Sequence, residues 1–324
     1  MKEVFSALKH EILIDGDILY CILVFHHQIK ITSFDLETLE EITSFDINID
    51  VTDSLHACLD DTFIYLADAE ANLVSIDRIT GEIQNKIQLK SLSIGRIILD
   101  DDFLYVLSVL PVKNKVTNFS TYFIQKVSKK TSEIQKFAYH NGNPTQQLVL
   151  AEDRLFCSDP SNIYCCDKNG QVLWSSSLRA YMNHRLAHND KYILTTSAAG
   201  GVQGFELTSG HNVFSIQMSK ALCEPAFQNS LLCWVSERVI KNVNIEKARK
   251  KISHWQTTET LDIEDPMYCT FYNDKIIVAD AGGNIIIGKE MYKIGEYPVI
   301  YAEKIGKRLL YETINKVHIL DQHL

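Results

Sequence analysis

The chain has no long hydrophobic run. Its longest, ILYCILVF from Ile18 to Phe25, is far short of the ~20 residues that a membrane-spanning helix needs, so no membrane partner is expected. It also has no surplus of positive charge. Lysine and arginine number 32 against 41 aspartate and glutamate, a net −9 over 324 residues. General nucleic-acid binding wants a basic face that displaces counterions, so that class is excluded. A charged partner is expected to be basic. The opening MKEVFSALKHEILIDGD carries Glu3, Lys9, His10 and Glu11 where an export signal would keep an apolar stretch, which predicts a cytoplasmic protein.

Catalytic and metal motifs are equally scarce. There is no Cys-x-x-Cys for a structural zinc and no Gly-x-Ser-x-Gly nucleophile elbow. GNIIIGKE from Gly283 resembles a phosphate-binding loop only in its glycine and lysine spacing. Glu290 stands where a Mg²⁺-binding hydroxyl is needed, and three isoleucines fill the part that must offer bare N–H groups. His184 and His188 share a face of a predicted strand, where the rise puts them about 13 Å apart, too far to chelate one ion. No cofactor and no metal are expected. The eight cysteines sit mostly in apolar runs such as LFCSD and LLCWV, where a free thiol behaves as a small buried hydrophobe.

What the chain does have is a repeat. An Asp or Asn followed by an apolar-aromatic run begins at Asp17, Asp61, Asp102, Asp153, Asp190, Asn229 and Asp274, and Lys307 opens an eighth. The spacings are 44, 41, 51, 37, 39, 45 and 33 residues, with a mean near 41. A period of that length built from short strands is the mark of propeller blades. The second unit shows the plan as LHACLDD, TFIYLAD, NLVSIDR and GEIQNKIQL, with turns rich in Asp, Asn and Gly. The turn ADAEAN at Ala67 returns as ADAGGN at Ala279, which marks the same turn five blades apart. The eighth unit offers only three strands before Leu324, and MKEVFSAL is left over at the start. The expectation is all-β: a single closed β-propeller over residues 1–324 with eight four-stranded blades. The N-terminal strand joins the C-terminal blade and so removes an open edge. Seven blades is the alternative, if the 33-residue unit at Asp274 merges with its neighbour.

The segment IYLADAEANLVSIDRITGEI resembles the repeat of pyrroloquinoline-quinone-like propellers at Asp77, Thr80 and Gly81, with Asn85 at the outer tryptophan position. CCDKNGQVLW matches at Asp167, Gly170 and Trp174, and FELTSGHNVF at Gly210 with Phe214 for tryptophan. The resemblance implies a ring of WD-repeat-like blades. In its enzymatic members it implies an exported dehydrogenase with a vicinal disulfide beside the quinone. Here the vicinal pair Cys165-Cys166 falls inside a predicted strand, and no calcium-binding set is recognisable, so a fold likeness carries no chemistry by itself.

Propeller blades are scaffold and their loops bind. The connectors AYHNGNPTQQ, LRAYMNH, HWQTTETLDIEDPMY and KIGEYP gather aromatic and sulfur side chains on one face. The candidate partner-binding residues are Tyr139, His140, Tyr181, Met182, His184, Trp255 and Tyr297, with Asp262, Glu264 and Asp265 from the acidic loop that also holds Glu259. The expected function is a non-catalytic protein, monomeric by itself, that binds another protein as an adaptor, assembly factor or inhibitor. The alternative is a small-molecule binder or quinone-dependent oxidoreductase using a central channel.

Overall fold

The computed structural model describes residues 2–6, 10–25, 28–49, 55–68, 70–89, 91, 93–110, 121–137, 148–159, 161–178, 183–197, 201–217, 226–229, 231–236, 239–245, 256–260, 265–272, 275–288, 290–305, 308–313 and 316–320. It is built of strands. After β1 (Lys2–Ser6), blade 1 takes β2 (His10–Asp15), β3 (Ile18–Phe25), β4 (Gln28–Asp35) and β5 (Glu41–Ile47). Blade 2 is β6 (Leu55–Leu59), β7 (Phe63–Asp68), β8 (Asn72–Asp77) and β9 (Ile83–Gln88). Blade 3 is β10 (Ser93–Leu99), β11 (Phe103–Leu110), β12 (Thr121–Ser128) and β13 (Ile134–Phe137). Blade 4 is β14 (Leu148–Ala151), β15 (Arg154–Ser158), β16 (Asn162–Asp167) and β17 (Val172–Ser177). Blade 5 is β18 (Asn183–His188), β19 (Tyr192–Ser197), β20 (Gly201–Glu206) and β21 (Asn212–Gln217). Blade 6 is β22 (Ala226–Gln228), β23 (Leu231–Ser236), β24 (Val239–Asn244) and β25 (Gln256–Thr260). Blade 7 is β26 (Pro266–Tyr272), β27 (Lys275–Asp280), β28 (Asn284–Ile287) and β29 (Glu290–Lys293). Blade 8 is β30 (Val299–Ile305), β31 (Arg308–Thr313) and β32 (Lys316–Leu320), together with β1.

These strands form eight four-stranded sheets, the last in the order β1-β32-β31-β30. The chain is an all-β propeller, and the N-terminal strand completes the C-terminal sheet, with Lys2 opposite Ile319 and Ser6 opposite Lys316. The unit at Asp274 keeps its own sheet, β26 to β29. Chain contacts divide the residues into two compact units. One is residues 7–159 with 166–173, and the other is residues 1–6, 160–165 and 174–324.

Within each unit the core lies between consecutive sheets. In the first, Ile22, Ile29 and Ile31 of blade 1 pack with Ile64, Leu66 and Val74 of blade 2. In the second, Ile277, Ala279 and Ile285 of blade 7 pack with Ala302, Leu309 and Tyr311 of blade 8. A second strand such as β7 is therefore almost wholly buried, and an outer strand such as β17 alternates exposed and half-buried. That difference explains the continuous apolar runs in the former and the alternation in the latter. Among the described residues none of the seven cysteines forms a disulfide. Burial raises the Cys21 thiol well above its ordinary pKa, and burial, helped by the Asp60 charge, pushes Cys58 up to about 12.

The recurring ADAxxN turn has a direct physical cause. Asp68 is 3% exposed, and its carboxylate accepts the Asn72 N–H at 2.8 Å and the Asn72 side-chain amide at 2.7 Å. Asp280 and Asn284 repeat the same two bonds at 2.8 and 2.7 Å. The turn folds a carboxylate into the blade and satisfies it locally.

Candidate functional site

Displaced pKa values are a first guide to chemistry, and in this protein they lead to the turns between blades. Three of the first unit's blades begin their second strand with Asp-x-x-apolar-apolar-Tyr: Asp15 to Tyr20, Asp60 to Tyr65 and Asp100 to Tyr105. Each pair receives a cation from the C–D turn of the next blade. Arg78 bonds Asp15 at 2.6 Å and the Tyr20 hydroxyl through Nε and Nη2. Lys129 bonds Asp60 at 2.7 Å. Lys168 reaches Asp100 at 3.1 Å and Asp153 at 2.6 Å. The cation is held from behind, because the Arg78 and Lys129 N–H groups bond the carbonyls of Thr62 and Asp102 in their own blades. In the other unit Leu194 of blade 5 and Ile245 of blade 6 take the tyrosine and cation positions in one buried cluster, and Asn189 takes the aspartate position and donates to the Asn229 carbonyl at 2.8 Å.

Burial alone would raise the Asp60 carboxyl. The Lys129 ammonium, the Phe63 and Thr62 N–H groups and the Tyr65 hydroxyl outweigh it and hold its pKa below the ordinary carboxylate value. Asp100 is governed the same way, with burial opposed by Lys168, Phe103 N–H and Tyr105. Burial, followed by the Asp60 bond, pushes the Tyr65 phenol up. These groups are interblade locks. Lys129→Met should lower stability by about 2 kcal/mol, since it leaves a largely buried carboxylate without its cation. Because the folded pKa of Asp60 lies below its unfolded value, the lock's contribution is complete above about pH 4. It is lost as pH falls through the folded pKa. Denaturation midpoints at pH 7 and pH 3 should therefore separate wild type from variant at the higher pH and bring them together at the lower.

The second unit gathers a different group of residues at the B–C and D–A end of blades 7 and 8. Asp265 is exposed at φ 42°, and its carbonyl accepts the Ala281 N–H of the B–C turn at 3.0 Å. Gly283 of the same turn lies against the carbonyls of Gly295 and Tyr297, so that a Cβ there would stand 2.8 Å from the Tyr297 oxygen. Met267 is 44% exposed, Tyr297 51% and Ile300 37%. An aromatic, a thioether and an aliphatic side chain thus stand open beside a carboxylate, with no strand partner covering them among the described residues. Beneath them Tyr268 and Tyr301 pack with ring centroids 5.6 Å apart.

Of the residues expected from sequence, Asp265 and Tyr297 come together at this end. His184 lies on β18, the first strand of blade 5. Tyr139, His140, Tyr181, Met182, Trp255, Asp262 and Glu264 lie outside the described residues. Two expectations need correction. Glu259 belongs to the outer strand β25 and not to a loop, because Ile240 pairs with it in the blade 6 ladder. Tyr268, expected on a connector, is in β26 opposite Ala279. Met267 and Ile300 were missed, although Met267 stands in the quoted EDPMY. The vicinal Cys165 and Cys166 are buried within β16, as the strand reading required.

A family model described as outer membrane protein assembly factor BamB matches residues 125–289. A search of curated proteins found no match. Among solved structures the chain is similar to BamB from Moraxella catarrhalis, at 14% identity over 98% of each chain with a TM-score of 0.68. It is similar to Sqt1 from Saccharomyces cerevisiae at 10% identity, over 99% of this chain and 97% of that one, with a TM-score of 0.69. Sqt1 from Chaetomium thermophilum, bound to the N-terminus of the ribosomal protein L10, matches at 11% identity over 94% and 93%, with a TM-score of 0.67. At these identities the likenesses establish the fold.

Proposed function

We propose that this chain, which belongs to the family of the outer membrane protein assembly factor BamB, is a non-catalytic scaffold that binds another protein through loops at the B–C and D–A ends of its blades. It acts there as an adaptor, assembly factor or inhibitor. The observation that carries this reading is the open rim of Met267, Tyr297 and Ile300 beside Asp265. Aromatic and sulfur side chains held exposed on a rigid blade end are interface anchors. The displaced carboxyl groups of Asp60 and Asp100 and the phenols of Tyr65 and Tyr105, by contrast, are consumed by the locks. The family's description as an assembly factor and the bound ribosomal-protein segment in the Chaetomium neighbour support a protein partner. The net charge of −9 favours a basic one, and buried thiols suit a reducing, cytoplasmic setting. The chain works as a monomer until it meets that partner.

The test is a purification of the tagged chain from its own cells, washed at low and high salt, with bound species identified by mass spectrometry. One stoichiometric protein is expected. At least tenfold less of it should be retained by a variant carrying Asp262→Asn, Glu264→Gln, Asp265→Asn and Tyr297→Ala. A co-purifying small molecule or chromophore without any protein would overturn the reading.

A further inference from the structure

The locks place the A–B and C–D turns of blades 1 to 4 side by side, since each C–D cation reaches back to the preceding blade's A–B aspartate. Along this edge the outer strands repeat a second feature. β9, β13 and β17 each end a sheet, and each begins with an exposed aliphatic side chain. Ile83 is 45% exposed, Ile134 36% and Val172 44%, Ile79 in the blade 2 turn is 78% exposed, and Ile42 of β5 and Leu173 of β17 stand exposed one residue further along their strands. Single exposed aliphatics are ordinary on a protein surface. One at the same register in three successive blades is a repeated feature, with Ile83 opposite Ile76 and Ile134 opposite Val127 near the end of the third strand, and exposed apolar side chains that recur along one edge mark an interaction site.

The charge beside this row is mostly negative, and the exposed Lys130 of the blade 3 turn is paired with Asp102. Each of the first three blades exposes a carboxylate from its A–B turn (Asp17, Asp61, Asp101) and one from the start of its outer strand (Glu40, Glu82, Glu133). None of these six is in an ion pair among the described residues. The turn cations Arg78, Lys129 and Lys168 are engaged by Asp15, Asp60 and Asp100. The locks therefore take up three of the turn cations, and Lys130 is paired with Asp102, which leaves aliphatic and unpaired acidic side chains along the same edge.

We propose that this rim of blades 1 to 4 is a docking surface for an extended protein segment that alternates aliphatic with lysine or arginine residues. The inference rests on the protein-binding reading above, but not on the rim around Tyr297. Aliphatic contacts with the row supply affinity, and the carboxylates supply orientation and association rate. A bare polycation would meet the charge and miss the row.

Fluorescence anisotropy with the full chain tests this directly, using two labelled peptides of equal length and charge. In one, lysine alternates with leucine and isoleucine. In the other, glycine replaces the aliphatic residues. The aliphatic peptide is expected to bind at least tenfold more tightly than the glycine peptide. Its affinity should fall about tenfold between low and moderate salt. Two variants, each checked for an unchanged melting temperature, should each lose at least tenfold: Glu40→Gln with Glu82→Gln and Glu133→Gln, and Ile83→Ser with Ile134→Ser and Val172→Ser. The glutamine variant alters only exposed carboxylates, so it remains informative if the serine variant is unstable. Tyr297→Ala with Met267→Ser should bind the peptide as wild type does. Equal binding of the two peptides, or no loss in the glutamine variant, overturns the docking surface. A native partner kept by the glutamine variant but lost with the Tyr297 rim would also overturn it, and would leave the protein-binding reading standing. A chain that binds the peptide as expected but whose capture of its native partner does not depend on the Tyr297 rim would instead sink that rim and leave the docking surface standing.

Discussion

Asn284→Ala is expected to destabilise the second unit by about 3 kcal/mol, and Asn72→Ala to do the same to the first. Asp280 is 0% exposed, and its carboxylate oxygens are met by the Asn284 N–H and side-chain amide. Removing the amide leaves one oxygen of a buried carboxylate without that donor. Such a loss costs the desolvation of the group and not merely the net value of a hydrogen bond. The Asp68 turn has the same bonds and almost the same burial, so the two costs should agree within error. Chemical denaturation of each single variant measures them. Asp280→Ala with Asn284→Ala should cost clearly less than the two single changes added together, because the second loses nothing once the carboxylate has gone. If Asn284→Ala costs under about 1 kcal/mol, water reaches the carboxylate and the motif is no more than favourable turn composition.

That pair also shows what a reader of the sequence can and cannot recover. The turn was visible because its donor and acceptor are four residues apart, within one blade. The second strands were visible for a similar reason: an Asp or Asn turn precedes an apolar run, and observed starts such as Phe103 and Lys275 fall one residue after the expected Asp102 and Asp274. Pairing of β1 with β32 followed from counting strands. The locks were not visible. Asp-x-x-apolar-apolar-Tyr occurs three times in the first half of the chain, but its cation comes from another blade. Arg78 is 63 residues from Asp15, and Lys129 is 69 from Asp60. Nothing local says that the two meet. The tryptophan and glycine of the PQQ-like pattern were read as features of one blade, yet Trp174 of blade 4 packs on Gly210 of blade 5. Of the binding rim, Tyr297 was legible as an aromatic in a connector. Met267 and Ile300 were not, because exposure of an apolar residue near a strand end is decided by the neighbouring blade and not by its own segment. The acidic rim of blades 1 to 4 escaped for the opposite reason. Its carboxylates lie in turns where Asp is expected for backbone reasons, and only the spatial row of aliphatics beside them gives them a second meaning.

The contact between Trp174 and Gly210 carries the second large prediction. Gly210 has φ +67°, and a Cβ there would lie 2.4 Å from the Trp174 ring. The ring is not free to move aside, since its indole N–H donates to the Leu207 carbonyl at 3.0 Å in the same turn. The neighbouring Ser176 hydroxyl also donates to the Gly210 carbonyl. Gly210→Ala therefore pays twice. The left-handed backbone costs about 1 kcal/mol for any residue with a Cβ, and displacing the ring adds about 2 kcal/mol of overpacking. A total near 3 kcal/mol is expected. Gly16 separates the two contributions, because it has φ +56° and nothing within 4 Å of the added carbon. Gly16→Ala should cost about 1 kcal/mol, the backbone share alone. In a Trp174→Ala background the further cost of Gly210→Ala should shrink to that same value, because the clash has been removed. If it stays near 3 kcal/mol without the indole, the turn is strained in itself and the ring is a bystander. The docking of one blade's outer strand on the next blade's C–D turn would then rest on the Ser176 bond. The expected result instead makes the aromatic-on-glycine contact the device that fixes the outer strand, whose start carries one of the exposed aliphatic side chains of the proposed rim.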